Sequence, residues 1–177
     1  KESVSDRQLK EFRPTMEEIK EVKFAPGLTA DILFAELQSQ GREYLRLMSY
    51  YSSAMLEVET KFKVLNIEFS NKFDRNPIES IQTRLKKPMS IYEKLNRLHI
   101  PVSVEGIEKN LNDIAGVRVV CNYIDDVYRV AGMLERQEDL EIVKRQDYIK
   151  TPNYNGYRSL HLDVRVPVYL SDRTEHV

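Results

Sequence analysis

The sequence predicts an α+β fold, in which an N-terminal helical segment leads into a core that contains strands. Residues 44–69 have an apolar side chain at every third or fourth position, which is the spacing of one face of an α-helix. Residues 81–86 and 160–168 alternate between apolar and polar side chains, as half-buried strands do. The segment 74–77 breaks the helical pattern with a proline. The predicted parts are a helical segment at residues 1–75, with a long helix at about 43–73, and a core at residues 76–177.

The length and the charge of the chain favour a single core that binds its ligands locally. Of the 177 residues, 41% are hydrophobic, which is enough for one hydrophobic core. The 27 basic and 28 acidic residues leave a formal net charge of -1, so the chain has no overall basic surface for a nucleic-acid backbone. We therefore expect no stable nucleic-acid partner, and an anionic ligand must be bound by a local group of bases.

Cysteine content and hydropathy indicate the compartment. Cys121 is the single cysteine, so no disulfide can form within the chain, and its place in a predicted strand suggests a small buried apolar residue. The sequence has no run of about 18 apolar residues, and its first residues lack the pattern of a signal peptide. We expect a cytoplasmic protein without a membrane-spanning segment.

Further helices are predicted on both sides of the break. A capping-box pattern predicts a short helix over residues 15–22, and apolar positions predict another over residues 28–41. In the core, Ser103 is the predicted N-cap of one helix, and Asp125 and Asp126 are predicted to cap the next. We interpret these helices as packing elements.

A group of basic residues follows the break and predicts an anion site. Arg84 and Lys86 point the same way in the alternating strand. Ser90 and Glu93 form a capping-box pattern, which predicts a helix N-terminus whose unpaired N–H groups and dipole attract an anion. Lys94 lies one turn further on the same side of that helix. The alternative is a solvated face, but the combination favours a triphosphate, although the glycine-rich loop of P-loop enzymes is missing.

Asp113 precedes a β-branched run at residues 114–121, which predicts a buried strand. An acid in this position is usually a turn or cap residue, but its basic neighbours suggest a site for a metal ion and phosphates. Arg118 lies inside the run, where a guanidinium needs solvent or a planar partner. Two interpretations of Arg118 remain open: an edge position or salt bridge, and stacking on a base beside Asp113.

Two tyrosines lie in a polar loop at residues 150–159, between a strand predicted at residues 140–143 and the last alternating strand. Aromatic rings in such a loop can stack on bases, at about 1 to 3 kcal/mol per base, or fold back onto the core. His161 follows among the polar residues of the strand and is expected to be a contact at most. The loop is therefore a second candidate ligand site.

Three motifs in this order resemble the synthetase domain of the RelA/SpoT homologue family, in its monofunctional small alarmone synthetase branch. They are Arg84-Leu85-Lys86 with Ser90-Ile91-Tyr92-Glu93-Lys94, then Asp113-Ile114-Ala115-Gly116-Val117-Arg118, then Asn155-Gly156-Tyr157-Arg158-Ser159-Leu160-His161. The resemblance extends over about residues 44–168. It implies a nucleotidyltransferase-like mixed β-sheet flanked by helices. It also implies a GTP or GDP pyrophosphokinase, which transfers pyrophosphate from ATP to the 3′-hydroxyl of GTP or GDP and makes guanosine penta- or tetraphosphate, the alarmones of the stringent response.

The resemblance also implies a role for each basic residue. Arg84 and Arg118 would hold the adenine of ATP between them, and Lys86, Ser90 and Lys94 would bind its phosphates. Homotetramers are common in the family, and a long amphipathic helix is compatible with such an assembly.

The metal and the acceptor nucleotide have implied partners as well. Asp113 would be catalytic and would bind Mg²⁺, which is the implied cofactor. Tyr157 would stack on the guanine of GTP or GDP, with Asn155 and His161 as nearby contacts.

The sequence departs from the family pattern in two places. Family members usually have a lysine shortly before the Asn-Gly-Tyr, where this sequence has Asn153, so Lys150 or Lys144 would supply the charge. The family also has a catalytic glutamate on a strand after the last one predicted here; we expect that strand to be missing, because the sequence ends at Val177 and Glu175 is too early to replace it.

Two alternatives to the synthetase follow from these departures and from the charge. One is a nucleotide-binding regulator that keeps the pocket without the chemistry. The other is a nucleotidyltransferase that acts on RNA, which the near-neutral charge disfavours.

Overall fold

The computed structural model describes residues 30–72 and 74–177 and confirms the α+β class. The described helices are α1 (Ala30–Lys72), α2 (Pro88–Arg97), α3 (Val104–Asn110) and α4 (Ile124–Glu135). The described strands are β1 (Ile78–Leu85), β2 (Ala115–Cys121), β3 (Glu141–Asp147), β4 (Leu160–Arg165), β5 (Pro167–Tyr169) and β6 (Thr174–His176). The helix predicted at residues 15–22 lies outside these ranges.

α1 is one continuous helix of 43 residues, whereas the sequence predicted two helices that meet near Gly41. One glycine costs a helix only about 1 kcal/mol relative to alanine, so it does not end a helix of this length. The apolar stripe predicted along α1 is confirmed, because one face of the helix is packed against the rest of the protein. Its buried side chains are Leu47, Met48, Ala54, Met55, Val58, Phe62 and Phe69.

The six described strands form three antiparallel pairs, β1 with β2, β3 with β4, and β5 with β6. They do not form the single mixed sheet that the family resemblance implied. A parallel pair needs a crossover that returns the chain to the same end of the sheet. Here β1, β3 and β5 each pair with the strand that follows along the chain, and the connection within each pair reverses the direction.

The strand predicted over residues 160–168 is divided into β4 and β5. β4 pairs with β3, whereas β5 begins at Pro167 and pairs with β6. Between them, Val166 N–H donates to the Val177 carbonyl at 2.8 Å, and Val177 N–H donates back at 3.0 Å. The chain therefore changes partner at Val166, one residue before Pro167, although the apolar alternation continues.

β3 and β6 also differ from the sequence-based prediction. β3 runs to Asp147 rather than ending at Val143. β6 is a strand after β5 that the sequence did not predict, and it pairs Glu175 with Val168. Glu175 is half-buried and accepts a hydrogen bond from Arg173 Nε at 2.8 Å. Its carboxylate is therefore engaged within its own hairpin.

Two clusters of buried side chains form the core, and α1 contributes to both. The first cluster joins α1 and α4 to strands of all three ladders, through residues such as Phe69, Val130 and Val166. The second cluster packs the N-terminal part of α1 against α2 and α3, with Leu95 and Ile114 fully buried. The helices α2 and α3, and the entry into β2, are thus supported from one side by α1.

Asp126 joins α4 to the segment that follows α1. The sequence predicted a capping role for it, but the N-cap is Tyr123, and Asp126 lies buried in the first turn of α4. Its two carboxylate oxygens accept hydrogen bonds from the Arg75 guanidinium at 2.6 and 3.0 Å, which lower the pKa of Asp126. Burial of an ionised carboxylate without a partner costs a large free energy, and the ion pair with Arg75 offsets that cost.

Cys121 and hydropathy agree with the interpretation of the sequence as far as the structure extends. Cys121 is half-buried and packs against the first cluster, and burial raises the pKa of its thiol to about 11. Within the described residues, no helix is both long and apolar enough to cross a bilayer.

Candidate functional site

Asp113 lies between two lysine side chains that come from different elements. Lys86 Nζ donates to Asp113 Oδ2 at 2.7 Å, and Lys94 Nζ donates to Asp113 Oδ1 at 2.6 Å. The lysine side chains are 17% and 23% exposed, whereas that of Asp113 is 52% exposed. Two largely buried lysine side chains therefore hold Asp113, while its carboxylate remains accessible to a ligand.

Backbone geometry places these three residues together. Lys86 follows β1, and its N–H donates to the carbonyl of Ile114 at 2.7 Å, which continues the β1–β2 ladder next to Asp113. Lys94 is brought in by α2, whose Ile91 and Leu95 are buried in the second cluster. The predicted grouping of Lys86 and Lys94 with the acid is thus observed.

The two lysines keep Asp113 ionised. Partial burial acts to raise the pKa of Asp113, but the hydrogen bonds and the charges of Lys86 and Lys94 together outweigh it, so that the pKa is lowered. At neutral pH the site contains one negative and two positive charges, and it retains a net positive charge for an anion.

α2 begins three residues earlier than the capping-box pattern predicted. Its N-cap is Lys87, and Pro88 is the first helical residue, a position for which the fixed φ of proline is suited. Ser90 lies in the first turn and does not cap the helix. The first N–H groups of α2 have no partner within the helix, so its N-terminus remains a place for an anion, with Ser90 beside it.

Arg84 and Arg118 share one face of the β1–β2 ladder. Arg84 pairs with Gly116, and Arg118 pairs with Gln82, so the two arginines are diagonal neighbours on that face. Both are exposed. Because Gly116 has no side chain, the surface between the two guanidinium groups is open. We call Arg84, Lys86, Lys94, Asp113 and Arg118 the Asp113 cluster.

The second candidate site is the tyrosine loop, residues 148–159, between β3 and β4. Asn155 Oδ1 accepts a hydrogen bond from Tyr157 N–H at 3.1 Å, and Gly156 has a φ of 76°, which favours glycine. The Tyr157 hydroxyl lies 3.1 Å from His161 Nε2. Tyr157 therefore contacts both Asn155 and His161.

Tyr157 is neither fully in solvent nor folded into the core. It is 47% exposed, and its ring packs against His161 with centroids 5.8 Å apart and against Tyr148 at 6.3 Å. Tyr154 is fully exposed at the tip of the loop. The ring of Tyr157 is thus supported on one side and accessible on the other.

The two lysines proposed to replace the missing family lysine lie on β3 and at the start of the loop. Lys144 is exposed on β3, opposite Asp163. Lys150 is exposed and has its Nζ 5.4 Å from the centre of the Tyr128 ring. Lys150 is the nearer of the two to Tyr157 along the chain and belongs to the loop itself.

The Asp113 cluster and the tyrosine loop lie on separate ladders that share the first core cluster. An open depression lined by Glu141, Arg165, Tyr169 and His176, among others, includes no residue of the Asp113 cluster or of the tyrosine loop. Its lining mixes acids with bases, and we do not place the site there. The Asp113 cluster concentrates positive charge on an open face, which is the feature expected of a phosphate site.

A magnesium ion fits the Asp113 cluster if the nucleotide supplies most of its ligands. In the part of the chain that the structure describes, no three His, Cys, Asp or Glu residues are grouped so that they could hold a metal. Mg²⁺ is often bound by one or two carboxylates together with substrate phosphates. Asp113, which is half-exposed, can provide one such carboxylate.

Tyr128 and Asp147 support the tyrosine loop and were not predicted from the sequence. Tyr128 lies on α4, which the sequence suggested was a packing element, and its hydroxyl contacts Asp147 at the end of β3. Asp147 could have been recognised as a turn-forming residue, because an aspartate often bonds the backbone N–H two residues on. The sequence contains no signal for its contact with Tyr128.

Comparison with known proteins identifies the chain's relatives. The family model for the region found in RelA/SpoT proteins matches residues 83–176, which include the whole Asp113 cluster and the whole tyrosine loop. The chain is 39% identical over 142 residues to the GTP pyrophosphokinase YwaC of Bacillus subtilis, covering 80% of this chain and 68% of the relative. It is 35% identical over 136 residues to the GTP pyrophosphokinase YjbM of the same organism, covering 77% of this chain and 63% of that relative.

Solved structures agree with these matches. The small alarmone synthetase 2 of B. subtilis is 41% identical with a TM-score of 0.66, over 76% of this chain and 68% of that chain. The small alarmone synthetase 1 of B. subtilis, bound to its product pppGpp, is 34% identical with a TM-score of 0.70, over 77% and 69%. The chain spans about two thirds of the length of these proteins. It belongs to the RelA/SpoT family, and its similarity is to the small alarmone synthetases.

Proposed function

We propose that the chain is the synthetase part of a GTP or GDP pyrophosphokinase, which transfers pyrophosphate from ATP to the 3′-hydroxyl of GTP or GDP. The observation that carries this proposal is Asp113, which is open to solvent while two lysines hold it beside a face with two arginines. Relatives named GTP pyrophosphokinase, and a similar structure bound to pppGpp, support the same reaction. The nucleotidyltransferase-like architecture is part of this proposal, apart from the single mixed sheet, which the described strands do not form.

ATP binds at the Asp113 cluster. Arg84 and Arg118 stack on the two faces of the adenine above Gly116, since planar guanidinium groups stack well on aromatic rings. Lys86 and Lys94 bind the phosphates, and Ser90 and the N-terminus of α2 add hydrogen-bond donors.

The chemistry depends mainly on charge and position. The acceptor 3′-hydroxyl gives its proton to solvent water as its oxygen forms a bond to the β-phosphorus of ATP. The bond between that phosphorus and the oxygen that bridges it to the α-phosphorus breaks, so AMP leaves with the electron pair. Lys86 and Lys94 turn from Asp113 toward the phosphates and neutralise their oxygens. Asp113, together with the phosphates, would hold Mg²⁺, which would supply further neutralisation of the phosphate charge.

The tyrosine loop binds the acceptor. Tyr157 stacks its accessible face on the guanine, with His161 and Tyr148 supporting the other side. Asn155 fixes the backbone of Tyr157, and Lys150 is the nearby cation. Stacking places the acceptor hydroxyl for in-line attack.

The test is an assay of the full-length protein with ATP, GTP and Mg²⁺, in which products are separated by anion exchange. We expect guanosine pentaphosphate from the unaltered protein and a loss of about 100-fold or more in Asp113→Ala, because the metal ligand is removed. Asp125→Ala, at an exposed carboxylate of α4, is the control and keeps its activity. A protein that binds both nucleotides but makes no product would instead support the regulator.

We also propose a homotetramer. Leu45, Leu56 and Ile67 are each more than half exposed on α1 and lie eleven residues apart, which is about three helical turns. Three large apolar side chains in one row are typical of a surface that a second subunit covers. The number of subunits rests on the family resemblance alone.

A further inference from the structure

Tyr128 connects a rigid helix to the base of the tyrosine loop. Its hydroxyl lies 3.1 Å from each carboxylate oxygen of Asp147, the last residue of β3, and donates to that carboxylate. α4 itself is fixed in the core by Val130, Ala131 and Leu134, which are all buried. The loop therefore begins at a point that is held by the helix as well as by its own ladder.

The same carboxylate organises the first turn of the loop. Asp147 Oδ1 accepts hydrogen bonds from Ile149 N–H at 3.1 Å and from Lys150 N–H at 3.0 Å. The Asp147 carbonyl accepts another from Thr151 N–H at 3.1 Å. These backbone bonds, Lys150 N–H foremost, lower the pKa of Asp147, so its carboxylate is ionised at neutral pH. One side chain thus sets the direction in which the loop leaves β3.

The ring of Tyr128 contacts the other end of this turn. Lys150 Nζ lies 5.4 Å from the ring centre, a distance typical of a cation–π interaction. Beyond it, residues 151–158 are all exposed and have little core beneath them. The placement of Tyr157 therefore depends on the base of the loop and on the start of β4.

We propose that Tyr128 and Asp147 are positioning residues for the guanine nucleotide: they hold the tyrosine loop in the orientation in which Tyr157 and Lys150 bind the acceptor. This inference rests on the proposed function, since it assigns the loop to the acceptor. Tyr128 acts through Asp147 and does not touch the nucleotide. ATP binding at the Asp113 cluster, which lies on another ladder, is independent of this contact.

Tyr128→Phe is the variant that tests the inference. It removes the hydroxyl and keeps the ring that Lys150 contacts. The matched control is Tyr169→Phe, which removes the hydroxyl of a tyrosine that is 74% exposed on β5. Two quantities are measured on the full-length protein: hydrogen exchange of the Ile149 and Lys150 amides, and the KM for GTP beside the KM for ATP.

In Tyr128→Phe we expect both amides to exchange about threefold to tenfold faster and the KM for GTP to rise by a similar factor, because one hydrogen bond to a charged group is lost. The KM for ATP stays unchanged. A general loss of folded protein would lower the amount of active enzyme and would change neither KM. Asp147→Ala has a larger effect, and Asp147→Asn, which keeps an oxygen for the two amides, is closer to the unaltered protein.

Unchanged exchange and an unchanged KM for GTP in Tyr128→Phe would overturn the inference, as would equal increases in both KM values. The proposed function fails separately, if the unaltered protein makes no pentaphosphate. In that case the affinity for GTP is measured by calorimetry in Tyr128→Phe and Tyr169→Phe and takes the place of the KM. The inference is then tested by this affinity together with the hydrogen-exchange rates.

Discussion

At the scale of single residues, Gly116 determines how much room lies between the two arginines of the Asp113 cluster. It is exposed on β2 directly opposite Arg84. A Cβ atom built at Gly116 would meet only the Arg84 carbonyl oxygen, at 4.0 Å, which is an ordinary contact. The fold therefore does not require glycine here, and the open surface is available to a ligand.

Gly116→Val should separate ligand binding from folding. A valine would occupy the space proposed for adenine between Arg84 and Arg118, so we expect the KM for ATP to rise about tenfold or more. The melting temperature should stay the same or increase, because β-branched residues suit a strand. The KM for GTP is the internal control, and an unchanged KM for ATP would contradict the proposed adenine site.

Single residues of the site were predicted with uneven success, for a physical reason. Lys86, Lys94 and Asp113 could be grouped because each is close in sequence to a strand or helix end, where local rules fix direction. The contact of Tyr128 with Asp147 joins two elements across the fold, and no local pattern records it. The roles proposed for Arg84 and Arg118 remain predictions that only ligand binding can test.

At the scale of elements, α2 links the second core cluster to the Asp113 cluster. Leu95 is fully buried, while the next residue toward the N-terminus, Lys94, reaches Asp113. Packing of the helix therefore sets the position of one of its charged side chains. Loss of that packing affects stability and the phosphate site together.

Leu95→Ala should destabilise the protein by about 2 to 5 kcal/mol, as expected for removal of a buried leucine side chain. Urea unfolding measures the change. The control is Leu98→Ala at the end of the same helix, where the side chain is 46% exposed and the expected cost is below about 1 kcal/mol. Equal losses in the two variants would mean that Leu95 does not have the packing role described.

Elements were predicted well in kind and less well in their bounds. The apolar stripe of α1 and the alternation of β1 and β4 were correct, because burial imposes those periods directly. The predicted start of α2 was misplaced because Pro88 and Ser90 are both suited to a helix N-terminus. In the structure the helix begins at Pro88. The change of ladder at Val166 was missed because the residues on both sides of it keep the same apolar alternation.

At the scale of the whole molecule, α1 contributes to both core clusters and keeps an exposed apolar row. At 1.5 Å per residue its 43 residues extend over about 65 Å. One face is buried within the chain, and the row of Leu45, Leu56 and Ile67 is left for another surface. This is the surface to which the proposed assembly is assigned.

Leu56→Glu should therefore reduce the mass of the assembly, because a charge would have to be buried at the contact between subunits. Light scattering of the full-length protein measures that mass. Val143→Glu, which puts the same charge at an exposed apolar position of β3, is the control and should leave the mass unchanged. A tetramer that survives in Leu56→Glu would show that the subunits meet elsewhere.

The pairing of β1 with β2 has a consequence for the order of folding. Their connection, residues 86–114, includes two helices, whereas β3 and β4 are joined by residues 148–159 and β5 and β6 by residues 170–173. Longer connections cost more entropy to close, so the ladder with the Asp113 cluster is expected to form last. Partly folded chains then have no site for ATP, and ATP binds only to the native state. ATP would slow unfolding without accelerating folding. It would therefore lengthen the lifetime of the folded protein and would not help the protein to fold.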